Sequence, residues 1–100
     1  MYKVVASRIA RKDAVDIERG GLKPQVDEII ETVEQNPFEL SQGFEELKGN
    51  WKGIYSRRIN RKHRFVYKVL PNSENETDKN EELYDGIVWV LSMWTHYDRV

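Results

Sequence analysis

The spacing of apolar residues changes period part-way along this 100-residue chain, and that change does most to limit its fold. Val26, Ile29, Ile30 and Val33 recur at i, i+3, i+4 and i+7, one apolar stripe, with Asp27, Glu28, Glu31 and Glu34 facing the other way. Pro24 suits a first helical turn, and Asn36-Pro37 ends the helix, because the residue before proline is pushed out of helical geometry. Upstream, the valine-rich run Tyr2 to Ala6 reads as a strand, Ser7 as the N-cap of a helix reaching Arg19, and Gly20-Gly21 as its end. From Ile54 the period becomes two. Ile54 to Asn60 and His63 to Leu70 read as strands joined by a tight turn at Arg61-Lys62, and Ile87 to Tyr97, apolar on both faces through Leu91, reads as a central strand. These elements imply an α+β domain: an N-terminal strand and a helical hairpin packed on one face of a mostly antiparallel sheet.

At this length one domain spanning residues 1–100 is expected. Hydrophobic residues make up 39% and charged residues 33%, polar for a globular domain but with enough Val, Ile, Trp and Tyr to build a core. Only residues 71–82, PNSENETDKNEE, read as an unstructured, flexible acidic loop. Cysteine is absent, which removes disulfides, thiolate nucleophiles and cysteine-bound zinc and makes a reducing compartment, the cytoplasm, the expected setting. The stretch MYKVVASRIARK has no leader-like apolar core, and no apolar run approaches the roughly 20 residues of a spanning helix, so no membrane role is expected.

Formal net charge is −1, yet the chain carries Lys48, Lys52, Arg57, Arg58, Arg61, Lys62, Arg64 and Lys68 with no carboxylate between Glu46 and Glu74. A solvated surface normally intersperses the two signs, so this segment points to a polyanionic partner. Alternation puts Arg64, Val66 and Lys68 on one face of their strand and Ile54, Ser56 and Arg58 on one face of the other, so Arg58 and Arg64 are expected to point into one cleft. His63 and His96 lack the spacing of a metal pair on a helix turn, and phosphate-loop and nucleophile-elbow motifs are absent. No metal or other cofactor is expected. What remains is one or two glutamates, arginines and a histidine. These are the groups that metal-free RNA cleavage needs: a base for the 2′-hydroxyl, an acid for the leaving 5′-oxygen, and cations for the charge gathering on phosphorus. Taken singly, the basic run can equally be a solvated strand pair, the glutamates surface residues, and His96 beside Trp94 a packed rim residue.

Several stretches taken together narrow this further: Pro37-Phe38-Glu39, the block EELKGNWKGIYSRRINRKHRFVY from Glu45 to Tyr67, and the terminal WTHYD. They resemble the Txe/YoeB toxins of the RelE superfamily, which belong to type II toxin-antitoxin systems. The resemblance implies a RelE/ParE-like, microbial ribonuclease-like fold and an endoribonuclease that enters the ribosomal A site, cuts the messenger by 2′-hydroxyl transphosphorylation and stops translation. It matches Glu45 to the general base, Arg64 to the arginine on the scissile phosphate, His96 to the general acid, and Tyr97 to the tyrosine that shapes the site. Lys48 and Arg58 match cations that hold RNA phosphates, and Lys52 and Arg57 of the same run are taken as further contacts. Glu46 stands where the family has proline, so the base assignment is open to a shift of one residue. Implied partners are the bacterial ribosome, mRNA and a YefM/Axe-like antitoxin with an acidic C-terminal segment. Operator DNA is implied only through the toxin-antitoxin complex, and a homodimer is left open. The rival reading is a non-catalytic superfamily member that binds RNA or inhibits gyrase.

Overall fold

The structure, a computed structural model, describes residues 1–94. Strand β1 (Lys3–Ala6) is followed by helices α1 (Arg8–Arg19) and α2 (Lys23–Gln35), then by β2 (Glu45–Glu46), a single 3₁₀ turn (Gly49–Trp51), β3 (Ile54–Arg58), β4 (Arg64–Leu70) and β5 (Ile87–Ser92). The five strands form one sheet in the order β1-β5-β4-β3-β2, in which only β1 and β5 run parallel. This is the α+β arrangement expected from the change of period.

The helix boundaries follow their local chemistry. Ser7 Oγ accepts the Ala10 N–H at 3.1 Å, satisfying one of the orphan donors of the first turn of α1. Gly21 takes the left-handed conformation, φ 72°, that turns the chain back. Gly20 is needed for a different reason: a Cβ there would stand 3.1 Å from the ring of Trp94. Asn36 is extended ahead of Pro37, as the proline demands.

The two helices cover one face of the sheet. Ala10, Ile17, Val26, Ile29 and Val33 pack there with Phe65, Tyr67, Val88, Val90 and Met93 in a single buried cluster. One charged residue shares this buried side of α1: Asp13, whose Oδ2 accepts the backbone N–H groups of Met93 (2.9 Å) and Trp94 (3.3 Å). It ties α1 to the chain where β5 ends.

Two sequence expectations need revision. Residues 71–82 are not without structure. Asn72 accepts from the Glu76 N–H and donates to the carbonyls of Glu76 and Tyr84, Asp78 Oδ1 accepts from Asn80 and Glu82, and Thr77 bridges Leu83. Glu76 also pairs with Lys3 of β1, which holds the loop at the edge of the sheet opposite β2. Such side-chain bonds to backbone are what Asn and Asp offer in turns. The last strand, expected to reach Tyr97, leaves the sheet after Ser92, and residues 95–97 of that expectation lie outside the described residues. Tyr67 faces Val90 and Val66 faces Ser92, so Leu91 is an extra residue, a bulge.

Candidate active site

The sheet face away from the helices carries the cationic residues, and register defines its rows. Arg58 pairs with Arg64, Ser56 with Val66, and Ile54 with Lys68. On β2, Glu45 pairs with Ser56 and Glu46 with Tyr55. Since paired residues share a face, Glu45 stands with Ser56, Arg58 and Arg64, whereas Glu46 goes with Tyr55 and the helix side. Glu46 Oε2 accepts the Gly53 N–H at 3.4 Å. Beyond the bulge, Ser92 joins the same row, which reads Glu45, Ser56, Val66, Ser92 across four strands.

Glu45 is exposed and lines a depression with Glu46, Leu47, Lys48 and Trp51, and Lys52 lies on an adjoining one with Lys48 and Gly49. A further depression is lined by Arg58, Arg61 and Arg64, beyond the Glu45 row in the direction of the β3–β4 turn. Arg58 stands two residues from Ser56, about 7 Å along the strand. Arg64 is half-buried, and its Nη1 donates to the carbonyls of Asn60 (2.8 Å), His63 (3.2 Å) and Arg61 (3.3 Å), which pins the guanidinium to the turn. His96 and Tyr97 lie outside the described residues.

Arg57 is the correction. It is 0% exposed and cannot meet a substrate. Its guanidinium donates to the carbonyls of Glu39 (2.9 Å), Ser41 (3.0 Å) and Pro37 (3.1 Å) and to the Tyr67 hydroxyl (3.1 Å), and it lies 4.8 Å from the centre of the Phe44 ring. Alternation put it on the helix side, and the loop from Pro37 to Phe44 closes over it. Burial pushes the Tyr67 phenol above its ordinary value, so it stays neutral while it donates to the Pro37 carbonyl.

Sequence reasoning passed over other groups. The hydroxyls of Ser56 and Ser92, both buried in the Glu45 row, have no hydrogen-bond partner among the described residues. Asp13 was findable, as the polar residue on the otherwise apolar side of α1 between Ala10 and Ile17. His63, next to Arg64, is 4% exposed and stacks on Trp94 with ring centres 4.0 Å apart. Burial lowers its pKa first, Lys62 lowers it further, and Asp13 works in the opposite direction. The unfolded chain takes up this proton near pH 6.5, the folded chain only below that. Stability is therefore fully present above pH 6.5 and falls as pH drops from there through the folded pKa. The thermal unfolding midpoint is expected to decline from about pH 7.5 to about 5.5, and His63→Gln to flatten that decline. An equally steep decline in the variant assigns the proton elsewhere.

Comparison with known proteins decides the family: residues 19–97 match the YoeB-like toxin of bacterial type II toxin-antitoxin system. The chain belongs to this YoeB-like toxin family. Toxin YoeB of Escherichia coli O6:H1 is 43% identical over 49 residues, 49% of this chain and 58% of that protein, so the match spans little more than half of the relative's length. Among solved structures, a YoeB/ParE toxin from Agrobacterium tumefaciens superposes with a TM-score of 0.76 at 26% identity, over 95% of this chain and 99% of the other. The YoeB dimer from Staphylococcus aureus gives 0.71 at 25%, over 96% and 98%. The YoeB-YefM complex from Staphylococcus aureus gives 0.68 at 26%, over 97% and 99%. In this YoeB-like chain the family fold presents Glu45 and an arginine cluster on its helix-free face.

Proposed function

We propose that this chain is a ribosome-dependent mRNA endoribonuclease, the toxin of a type II toxin-antitoxin module. The observation that supports this reading best is the register that sets Glu45, not Glu46, on the face of Arg58 and Arg64. In the reaction, Glu45 takes the proton of the ribose 2′-hydroxyl, the 2′-oxygen bonds to the adjacent phosphorus, and the bond from phosphorus to the 5′-oxygen breaks. His96 donates a proton to that departing oxygen, leaving a 2′,3′-cyclic phosphate and a free 5′-hydroxyl. Arg64 offsets the charge on the phosphorane, Tyr97 shapes the site, and Lys48, Lys52 and Arg58 hold neighbouring phosphates. The ribosome contributes by presenting the messenger in an attack-ready geometry.

A YefM-like antitoxin is the proposed silencing partner, since a YoeB from Staphylococcus aureus has been solved in complex with YefM, and a homodimer is proposed from the solved YoeB dimer of the same species. The cationic strands suit an acidic antitoxin segment that folds as it binds. The non-catalytic reading draws on one observation, the commitment of Arg64 Nη1 to three backbone carbonyls. Purified protein, ribosomes and a defined message separate the two. Cleavage with a 5′-hydroxyl product is expected, falling by on the order of 10² or more in His96→Gln, the scale of a general acid. Intact message with the unsubstituted protein overturns the enzymatic reading.

A further inference from the structure

Arg61 stands in the turn between β3 and β4 and lines one depression with the register partners Arg58 and Arg64. The turn that carries it is firmly built. Asn60 Oδ1 accepts the N–H groups of His63 (2.7 Å) and Lys62 (2.9 Å), the Ile59 N–H donates to the His63 carbonyl at 3.0 Å, and Arg64 Nη1 closes on the Asn60, Arg61 and His63 carbonyls. Among the described residues the ion pairs are Met1 with Asp85, Lys3 with Glu76, and Lys23 with Asp27, so no carboxylate answers any of the three arginines. Like charges directly opposite each other on paired strands destabilise a sheet. Three guanidiniums held close together, with no counter-charge among the described residues, cost stability when empty and gain it when an anion arrives. The planar fork of arginine fits phosphate oxygens two at a time.

We infer that Arg61, with Arg58, forms a seat for a second RNA phosphodiester beside the one that reacts, with Arg64 between the two phosphates. The inference rests on the ribonuclease reading above. The seat lies on the turn side of the Glu45 row, about 7 Å on along β3, so the RNA backbone runs from Glu45 towards the turn. Arg61 is a binding residue there and touches no reacting atom. The phosphodiester belongs either to the message or to ribosomal RNA, and the chemistry of the seat is the same for both.

The test uses Arg61→Gln, an exposed turn position whose side chain makes no hydrogen bond among the described residues, with Lys12→Gln on α1 as the charge-matched control. Affinity is measured against KCl concentration for empty ribosomes and for ribosomes carrying a message with 2′-deoxyribose at the cleavage position. Arg61→Gln is expected to weaken binding and to reduce the slope of log affinity against log salt by about one, the loss of one phosphate contact, with Lys12→Gln unchanged. Loss confined to message-bearing ribosomes assigns the phosphate to the message, and equal loss on both assigns it to ribosomal RNA. An unchanged slope in Arg61→Gln, or the same drop in Lys12→Gln, overturns the seat. Cleavage of an all-ribose message by the unsubstituted chain reports on the enzymatic reading separately: cleavage with an unchanged Arg61→Gln slope sinks the seat alone, whereas no cleavage with a reduced slope sinks the enzyme and leaves the seat.

Discussion

Glu45→Gln is expected to cut message cleavage on the ribosome by about 10²- to 10⁴-fold, the range over which a positioned general base contributes. The fold is expected to hardly notice, because Glu45 is exposed on a two-residue strand and exposed substitutions stay within about 0.5 kcal/mol. Glutamine keeps the shape and loses the basicity, so ribosome affinity is expected to persist while turnover fails. Glu46→Gln is the matched comparison: Glu46 stands opposite Tyr55 across the strands, on the other face from the arginines, and its carboxylate accepts the Gly53 N–H. Cleavage lost in Glu46→Gln and kept in Glu45→Gln would move the base by one residue and undo the register argument. Single-turnover cleavage and urea unfolding of both variants settle it.

Arg57→Ala is expected to cost about 2–5 kcal/mol, the scale of emptying a fully buried large side chain. Total stability of a domain this size is about 5–15 kcal/mol, so the variant is expected to be largely or partly unfolded near growth temperature. Removing the guanidinium takes one donor each from the carbonyls of Pro37, Glu39 and Ser41 and from the Tyr67 hydroxyl, and it leaves a cavity beside Phe44. Arg57→Lys rescues little, since one ammonium cannot span three carbonyls and a phenol in the plane that the fork occupies. Urea unfolding measures the loss, and a change below about 1 kcal/mol would mean that the loop holds itself.

These two residues mark how far the chain could be read without coordinates. Ser7, Pro24 and Asn36-Pro37 carry their own backbone preferences, so both helices were legible within a residue or two. The shared face of Arg58 and Arg64 followed from alternation on either side of a short turn. Arg57 was misread because alternation says which side a residue faces, not what closes over that side, and the carbonyls that hold it come from a loop 16 to 20 residues upstream. The choice between Glu45 and Glu46 depended on the register of a strand too short to show a period. The acidic loop was misjudged because its composition resembles disorder, while the bonds made by Asn72 and Asp78 depend on geometry that composition does not encode.

The extra residue at Leu91 has a consequence for how this chain tolerates change. Upstream of it the even-numbered positions of β5 look into the core; downstream Ser92 looks out and Met93 looks in. In an unbroken alternation from Val90 through Leu91, Ser92 would look in and Met93 out, so the bulge is what returns Met93 to the core. A methionine at position 91 should pass quietly, and deleting that one residue would join Val90 to Ser92 in a regular ladder that keeps Ser92 outward and Met93 inward, losing only the local bend that a bulge imposes.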